Sequence, residues 1–317
     1  MKLDLKDYKL LSELDSNSRQ PMQQIAKKIG LSKDAVNYRI NKLQEAGIIK
    51  SFNAVINSGK LGYYGARLLI KFYYLSPQKE KEILDYLLSN PHLKWMVSVE
   101  GKWDLNTWFL YKSISELNQF YQEFLTLYRD FMEEKNFSLY TKIDYYSRDY
   151  LHQTKKREKI SAYALDKEEA VDSTDQLILG ELTKNSRITI LELSKKAKVT
   201  PKTVIKKIRG LESRKIITGY KIEFDLEKLG FQYYKIHLTL ANSTSQQIKQ
   251  LQSFLHQHPH FIYEDFVLGG YDLEFEVQFK DSKELRLFID QIREKFSNMI
   301  RDYEILHYYK EYKLKFL

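Results

Sequence analysis

Two short sets of side chains have the types and spacing to read a polyanion. Lys33, Asn37, Tyr38, Asn41 and Lys42 lie off the apolar stripe of one expected helix, and Lys202, Thr203, Lys206, Lys207 and Arg209 lie off the stripe of another. On a helix in a DNA major groove, Lys or Arg can reach guanine O6 and N7 or a phosphate, and Asn can pair with adenine. Ser32 and Thr200 stand where the helices begin, as caps, and N–H groups at a helix start can hold a phosphate. The charge is placed to match. Residues 4–57 hold nine basic and six acidic side chains, and residues 172–225 hold twelve and seven. These windows carry eight of the nine net positive charges of the 317-residue chain, and the rest is close to neutral. A positive field confined to two segments is the footprint of a polyanion-binding surface.

The elements that must position these residues occur twice. Asp4, Asp7, Leu11, Leu14, Asn17, Ser18 and Arg19 recur 168 positions later as Asp172, Asp175, Leu179, Leu182, Asn185, Ser186 and Arg187. The register holds without a gap through Gly101/Gly269 and Asp104/Asp272 to Tyr140/Tyr308. This is far longer than a solenoid unit and marks a duplicated module. In the first copy Leu10, Leu11 and Leu14 have helical spacing after Asp4, a candidate N-cap. Pro21 opens a second short helix with Ile25 and Ile29 inward, and Gly30 ends it. Ser32 caps a third helix with Val36, Ile40 and Leu43 inward; Gly47 terminates it, and residues 48–56 read as a strand. The second copy repeats the plan with Lys198 for Gly30 and Lys215 for Gly47, which can adopt left-handed backbone at a cost of about 1 kcal/mol or more.

Each half then alternates strand and helix patterns in the order β-α-β-β-α-β, the ferredoxin-like split motif. The expected organisation is α+β. A winged helix-turn-helix at 1–57 is followed by a ferredoxin-like domain at 58–148. A linker at 149–171 leads to the second winged helix-turn-helix at 172–225 and its ferredoxin-like domain at 226–317. The linker's Lys155-Lys156-Arg157 run reads as a solvated segment.

Other chemistry finds less support. With no cysteine, disulfides, thiolate metal sites and cysteine nucleophiles are excluded. No apolar run approaches the roughly 18 residues of a membrane span, and the charged N-terminus does not resemble a secretory signal, so a cytoplasmic location is expected. His256, His258 and His260 have spacing that could suggest a metal, but Pro259 interrupts them and a polar helix terminus accounts for them as well. Pairs such as Tyr145-Tyr146 and Tyr308-Tyr309 could stack on bases, but they suit sheet faces and interfaces better. Without a Gly-rich phosphate loop or a nucleophile–base motif, no enzyme, cofactor or metal is expected.

The frame Asp4-x-x-Asp7-x-x-Leu10-Leu11-x-x-Leu14-x-x-Asn17-Ser18-Arg19, repeated from Asp172 to Arg187, resembles the opening of the Lrp/AsnC family of feast/famine transcription regulators. Ile25-Ala26, Leu31-Ser32, Val36, Arg39-Ile40, Leu43, Gly47-Ile48-Ile49 and the Leu-Gly pairs at 61–62 and 229–230 continue the likeness. The resemblance implies double-stranded DNA as partner and effector domains that pair their sheets. In a fused chain it implies an intramolecular pseudo-dimer, with room for a further homodimer of that unit. Gly101, Trp103 and Asp104, with Gly269, Tyr271 and Asp272, look like the family's Gly-x-aromatic-Asp loop near its amino-acid effector site. The same residues are also ordinary turn chemistry. Sirohaem decarboxylases resemble this family too and provide the alternative function. Basic recognition helices favour DNA over that alternative.

Overall fold

The structure is a computed structural model that describes residues 2–152, 157–241 and 243–315. The first half runs α1 (Leu5–Ser16), α2 (Met22–Ile29), α3 (Lys33–Glu45), β1 (Ile49–Ile56), β2 (Tyr64–Phe72), α4 (Pro77–Ser89), β3 (Leu93–Glu100), β4 (Leu105–Tyr111), α5 (Ile114–Tyr128) and β5 (Met132–Tyr146). A strand in the connection, β6 (Lys159–Ala164), leads to the second half. That half runs α6 (Ser173–Lys184), α7 (Ile190–Ala197), α8 (Pro201–Ser213), β7 (Ile217–Phe224), β8 (Gln232–Leu240), α9 (Ser245–Gln257), β9 (Phe261–Leu268), β10 (Leu273–Phe279), α10 (Ser282–Phe296) and β11 (Ile300–Leu314).

Local chemistry accounts for the helix ends. Asp4 and Asp7 form a reciprocal capping box at α1, and Asp172 and Asp175 form the same box at α6. Pro21 sits one residue outside α2, as its N-cap. Gly30 ends α2 in the left-handed region at φ 67°, and Lys198 takes that conformation at φ 53° after α7. Lys215 does the same at φ 58° where the first half has Gly47. The turn is therefore kept at both places despite the Cβ penalty.

The three-helix heads are not self-contained. β1 pairs antiparallel with β7, its repeat-mate, with Asn53 opposite Lys221. Leu10, Leu14, Val36 and Ile40 of the first head share a core with Ile222, Phe224, Leu229 and Phe231 of the second half. Ile178, Leu182, Val204 and Ile208 of the second head share one with Ala54, Ile56 and Leu61 of the first. Each head therefore completes its apolar core with the other half of the chain.

The two ferredoxin-like sheets also merge. The order β2-β4-β3-β11-β8-β10-β9-β5 closes through β5–β2 pairing into an eight-stranded barrel, and β6 adds outside on β5. Two long strands make the junctions. β5 pairs with β2 over residues 132–140 and with β9 over residues 139–145; β11 pairs with β8 and then with β3. Helices α4 and α5 cover Ala66, Leu68, Ile70, Leu105 and Phe109 on one side. Helices α9 and α10 cover Ile236, Leu238, Phe275 and Val277 on the other. Because strand side chains alternate, the residues between these point into the barrel.

The connection departs from expectation. It supplies β6, and Arg157 is half-buried, donating to the carbonyls of His256 and His258 (both 2.7 Å) and of Phe261. A guanidinium there satisfies orphan carbonyls at the end of α9 and opposes its dipole. Lys155 and Lys156 lie outside the described residues.

Candidate nucleic-acid interface

Helix α3 presents a polar outer face. Val36, Ile40 and Leu43 are buried, whereas Ser32, Lys33, Asn37, Asn41 and Lys42 are exposed and Tyr38 is 65% exposed. Ser32 Oγ accepts from the N–H of Ala35 at 3.1 Å. On α8, Val204, Ile208 and Leu211 are buried, and Lys202, Lys206 and Arg209 are exposed. Thr200 caps α8 by accepting from the N–H of Thr203 at 3.2 Å; Thr203 is half-buried as a residue, and its hydroxyl lies 2.9 Å from that of Thr200. Ile205, not anticipated, is 39% exposed on the same face.

Lys207 requires a correction as a base-reading candidate. Its ammonium lies 2.6 Å from Asp172 and 3.0 Å from Asp175. Its repeat-mate Arg39 holds Asp4 and Asp7 in the same way, at 2.9 and 2.6 Å. The hydrogen bond from Arg39 lowers the Asp4 pKa, as that from Lys207 lowers the Asp172 pKa. In each head one basic residue of the third helix therefore ties it to the start of the first, and that cation faces the capping box.

The heads meet on a pseudo-twofold axis. Ser18 Oγ and Ser186 Oγ are 2.7 Å apart, both fully buried. Arg19 donates to the carbonyls of Ser186 and Ile188, the latter at 3.2 Å, and Arg187 donates to those of Ser18 (2.5 Å) and Gln20 (3.5 Å). Asn17 and Asn185 each accept from the N–H two residues on, at 2.9 Å, fixing the bend that carries each arginine across. The Asn-Ser-Arg frame is thus the clamp that sets one head against the other. Its perfect recurrence was the signal; the partner, a frame 168 residues away, was not legible.

The two Gly-x-aromatic-Asp loops lie where strands enter the barrel. Trp103 is 1% exposed and donates through Nε1 to the hydroxyl of its repeat-mate Tyr271 at 3.1 Å. The Asp104 carboxylate accepts from the N–H of Phe72 (2.8 Å) and from Lys71 (2.8 Å), and that of Asp272 accepts from the N–H of Leu240 at 2.7 Å. Both carboxylates therefore already stitch their loops to strand ends, as the turn reading of these residues has it. Gly101 and Gly269 have φ of 135° and 82°, and a Cβ at Gly101 would sit 2.5 Å from the Ile305 carbonyl.

Behind Tyr271 lies a polar interior that sequence reasoning missed. His237 stacks on Tyr271 with centroids 4.1 Å apart, and its nitrogens lie 3.6 Å from Glu274 and 3.5 Å from Glu304. Burial, aided by Arg67 and Lys235, outweighs those carboxylates and lowers its pKa to about 4. Arg67 and Glu274 form a bidentate pair with both side chains fully buried. Burial opposes the Glu274 charge, but Arg67 and Lys235 overcome it and hold the carboxyl well below its usual range. Lys235 is paired with Asp265 and lies 3.5 Å from Glu274 and 3.6 Å from Glu276. The signal was present as period-two alternation: Lys235 and His237, then Glu274, Glu276 and Gln278, interrupt otherwise apolar strands.

Comparison with known proteins matches this arrangement. The family model for winged helix-turn-helix DNA-binding matches twice, over residues 3–50 and 171–218. The HTH-type transcriptional regulator FL11 of Pyrococcus furiosus is 33% identical over 119 residues, covering 37% of this chain and 77% of that protein. The chain belongs to the Lrp/AsnC family of helix-turn-helix transcriptional regulators. The regulator Ptr1 of Methanocaldococcus jannaschii is 31% identical over 121 residues, covering 38% of this chain and 80% of that relative. As a family member, this chain carries the module twice.

One expectation is overturned. The crystal structure of the siroheme decarboxylase NirDL aligns over 98% of this chain and 93% of its own, with a TM-score of 0.67 and 14% identity. At that identity the likeness is one of fold. The paired Lrp/AsnC architecture is nevertheless one on which an enzyme is built along its whole length, so the expectation that the chain is not an enzyme does not stand. Among the described residues no helix is long and apolar enough to cross a membrane, and no three His, Cys, Asp or Glu side chains gather as a metal site.

Proposed function

We propose that this chain is a sequence-specific regulator that binds double-stranded DNA through two unlike heads and prefers an operator with unequal half-sites. The supporting observation is the pair of exposed faces. α3 offers Lys33, Asn37, Tyr38, Asn41 and Lys42, whereas α8 offers Lys202, Ile205, Lys206 and Arg209. Amides on the first face suit adenine, and the cations on the second suit guanine and phosphate, with Ile205 able to meet a thymine methyl. The second head therefore contributes the larger salt-dependent share of binding. Genomic binding-site selection at stated salt tests this. A bipartite motif with two different halves is expected, and Lys206→Ala with Arg209→Ala should flatten the logarithmic salt slope by about 0.9 for each phosphate no longer neutralised. Failure to enrich any sequence would sink the reading.

The finer part of the reading is an amino-acid effector at the Gly101 and Gly269 loops. A ligand carboxylate there would take loop N–H groups, but its ammonium would have to compete for Asp104 or Asp272 with the N–H donors they already hold. Calorimetric titration with each amino acid tests this part alone; no heat with any of them removes the effector and leaves DNA binding standing. Light scattering of the DNA-free protein tests whether two chains associate. A cytoplasmic location accompanies the regulator reading.

A second reading has one observation in its favour, the likeness along 98% of the chain to a siroheme decarboxylase. That reading makes the chain a decarboxylase acting on a haem-type substrate. Titration with an iron-uroporphyrin III analogue tests it: a saturable shift of the Soret band supports it, and an unchanged spectrum removes it.

A further inference from the structure

The barrel interior breaks the repeat that the heads preserve. Lys235, His237, Asp265, Glu274 and Glu276 point inward from the second half, and their counterparts in the first are Arg67, Leu69, Val97, Asn106 and Trp108. Arg67, Lys235, Asp265, Glu274 and Glu276 are all buried. The only one of these five that the first half supplies is Arg67, and it pairs across the barrel with Glu274.

We propose that this interior is a pairing code: the inner wall of the first half accepts a wall carrying the second half's carboxylates and rejects a second copy of itself. The observed pairing encloses two cations and three carboxylates. Two first-half walls would enclose two arginines and no carboxylate, and two second-half walls would enclose two lysines against six carboxylates. A buried charge with no partner is strongly destabilising, so both like pairings are disfavoured by charge alone. The rim obeys the same rule. Lys102 lies 3.0 Å from Glu304, and their counterparts are Gly270 and Asn136, so a first-half pair would set Lys102 against Asn136, a second-half pair would set Glu304 against Gly270, and either loses this ion pair. The observed enclosure keeps one carboxylate in excess, and burial together with Glu276 and Glu274 raises the Asp265 pKa despite Lys235. The partner that the first-half wall fits is thus a ferredoxin-like sheet with a lysine–aspartate pair and two glutamates at alternate positions of one strand. Single-module relatives lacking those carboxylates are excluded, as is the first half of another copy of this chain.

The test removes the tether without removing either half. A protease site is inserted at residues 153–156 of the full chain, and the protein is cut, unfolded in urea, refolded and weighed by native mass spectrometry. Unlike pairs should exceed either like pair by about 100-fold or more. A statistical mixture, or a predominance of like pairs, overturns the proposal. Charge is tested as the cause with Arg67→Glu, which should lower the yield of unlike pairs about tenfold, and with added Glu274→Arg, which should restore most of it. Loss without rescue overturns the code even where unlike pairs still form. If the cut halves do not refold, the same variants in the uncut chain decide the matter by urea denaturation. Each single change should lower the midpoint and the double should recover it, whereas additive losses refute the proposal.

Discussion

The same pseudo-twofold relates the heads and the barrel, but its chemistry is kept in one and abandoned in the other. Between the heads, serine meets serine, each arginine reaches equivalent carbonyls of the opposite half, and Arg39 and Lys207 do equivalent work on their aspartate pairs. Inside the barrel, Arg67 pairs with Glu274, whereas the residues at the places related to these by the axis are Lys235 and Asn106, which cannot form an ion pair with each other. The heads must present two helices at a fixed mutual geometry, which demands equivalent contacts on both sides of the axis. The barrel needs only to close, so its two walls were free to become complementary. Fusion makes that divergence durable, because each wall always has the other at hand.

The largest effect should come from the unlike region. Arg67→Met leaves the buried Glu274 with the N–H of Tyr271 at 3.1 Å and the more distant Lys235 and His237, and should cost about 3–5 kcal/mol in chemical denaturation. A loss below about 1 kcal/mol would show that the pair contributes little to closing the barrel, and the contrast between the regions would collapse.

Acid should reveal the same asymmetry. His237 has its folded pKa lowered to about 4, chiefly by burial. Between about 6.5 and 4 the unfolded chain binds a proton that the folded chain refuses, so stability present above that window is lost as the pH falls. The loss should approach about 3 kcal/mol by pH 4. Asp265, whose pKa is raised, acts in the opposite direction over part of the same range, so the comparison must be made between variants. His237→Leu, which installs the residue found at position 69, should flatten this limb of the stability–pH curve. An unchanged limb would locate acid sensitivity outside the barrel.

Much of this was legible in the sequence because it is local. The three helices of each head, their caps, the left-handed turn at Lys198 and the β-α-β-β-α-β order are set by apolar periodicity and by residues a few positions apart. Besides the clamp's partner and the polar interior, three features escaped because they depend on partners far along the chain. β1 and β7 each read as a strand, but neither carries a mark of the other as its neighbour. The Arg157 run reads as solvated because a basic residue that ends a distant helix looks like any linker cation. Lys207 reads as a base-contacting cation until Asp172 and Asp175 are placed beside it. That clue was available, since Arg39 stands at the equivalent position before an equivalent aspartate pair.

The smallest effect tests the symmetric region. Arg19 and Arg187 each donate to two carbonyls of the opposite half, so Arg19→Ala and Arg187→Ala should each cost about 1.5–3 kcal/mol, the range for hydrogen bonds to a charged group. The two losses should agree within about 0.5 kcal/mol, even though the helices that follow them differ in charge. Equality matters more than size here. Each arginine crosses the axis and so positions the opposite head as much as its own, and either variant should weaken binding to both half-sites of a bipartite operator. If Arg19→Ala disturbed only the half-site read by α3, the clamp would be acting within one head. The heads would then have diverged as far as the barrel has.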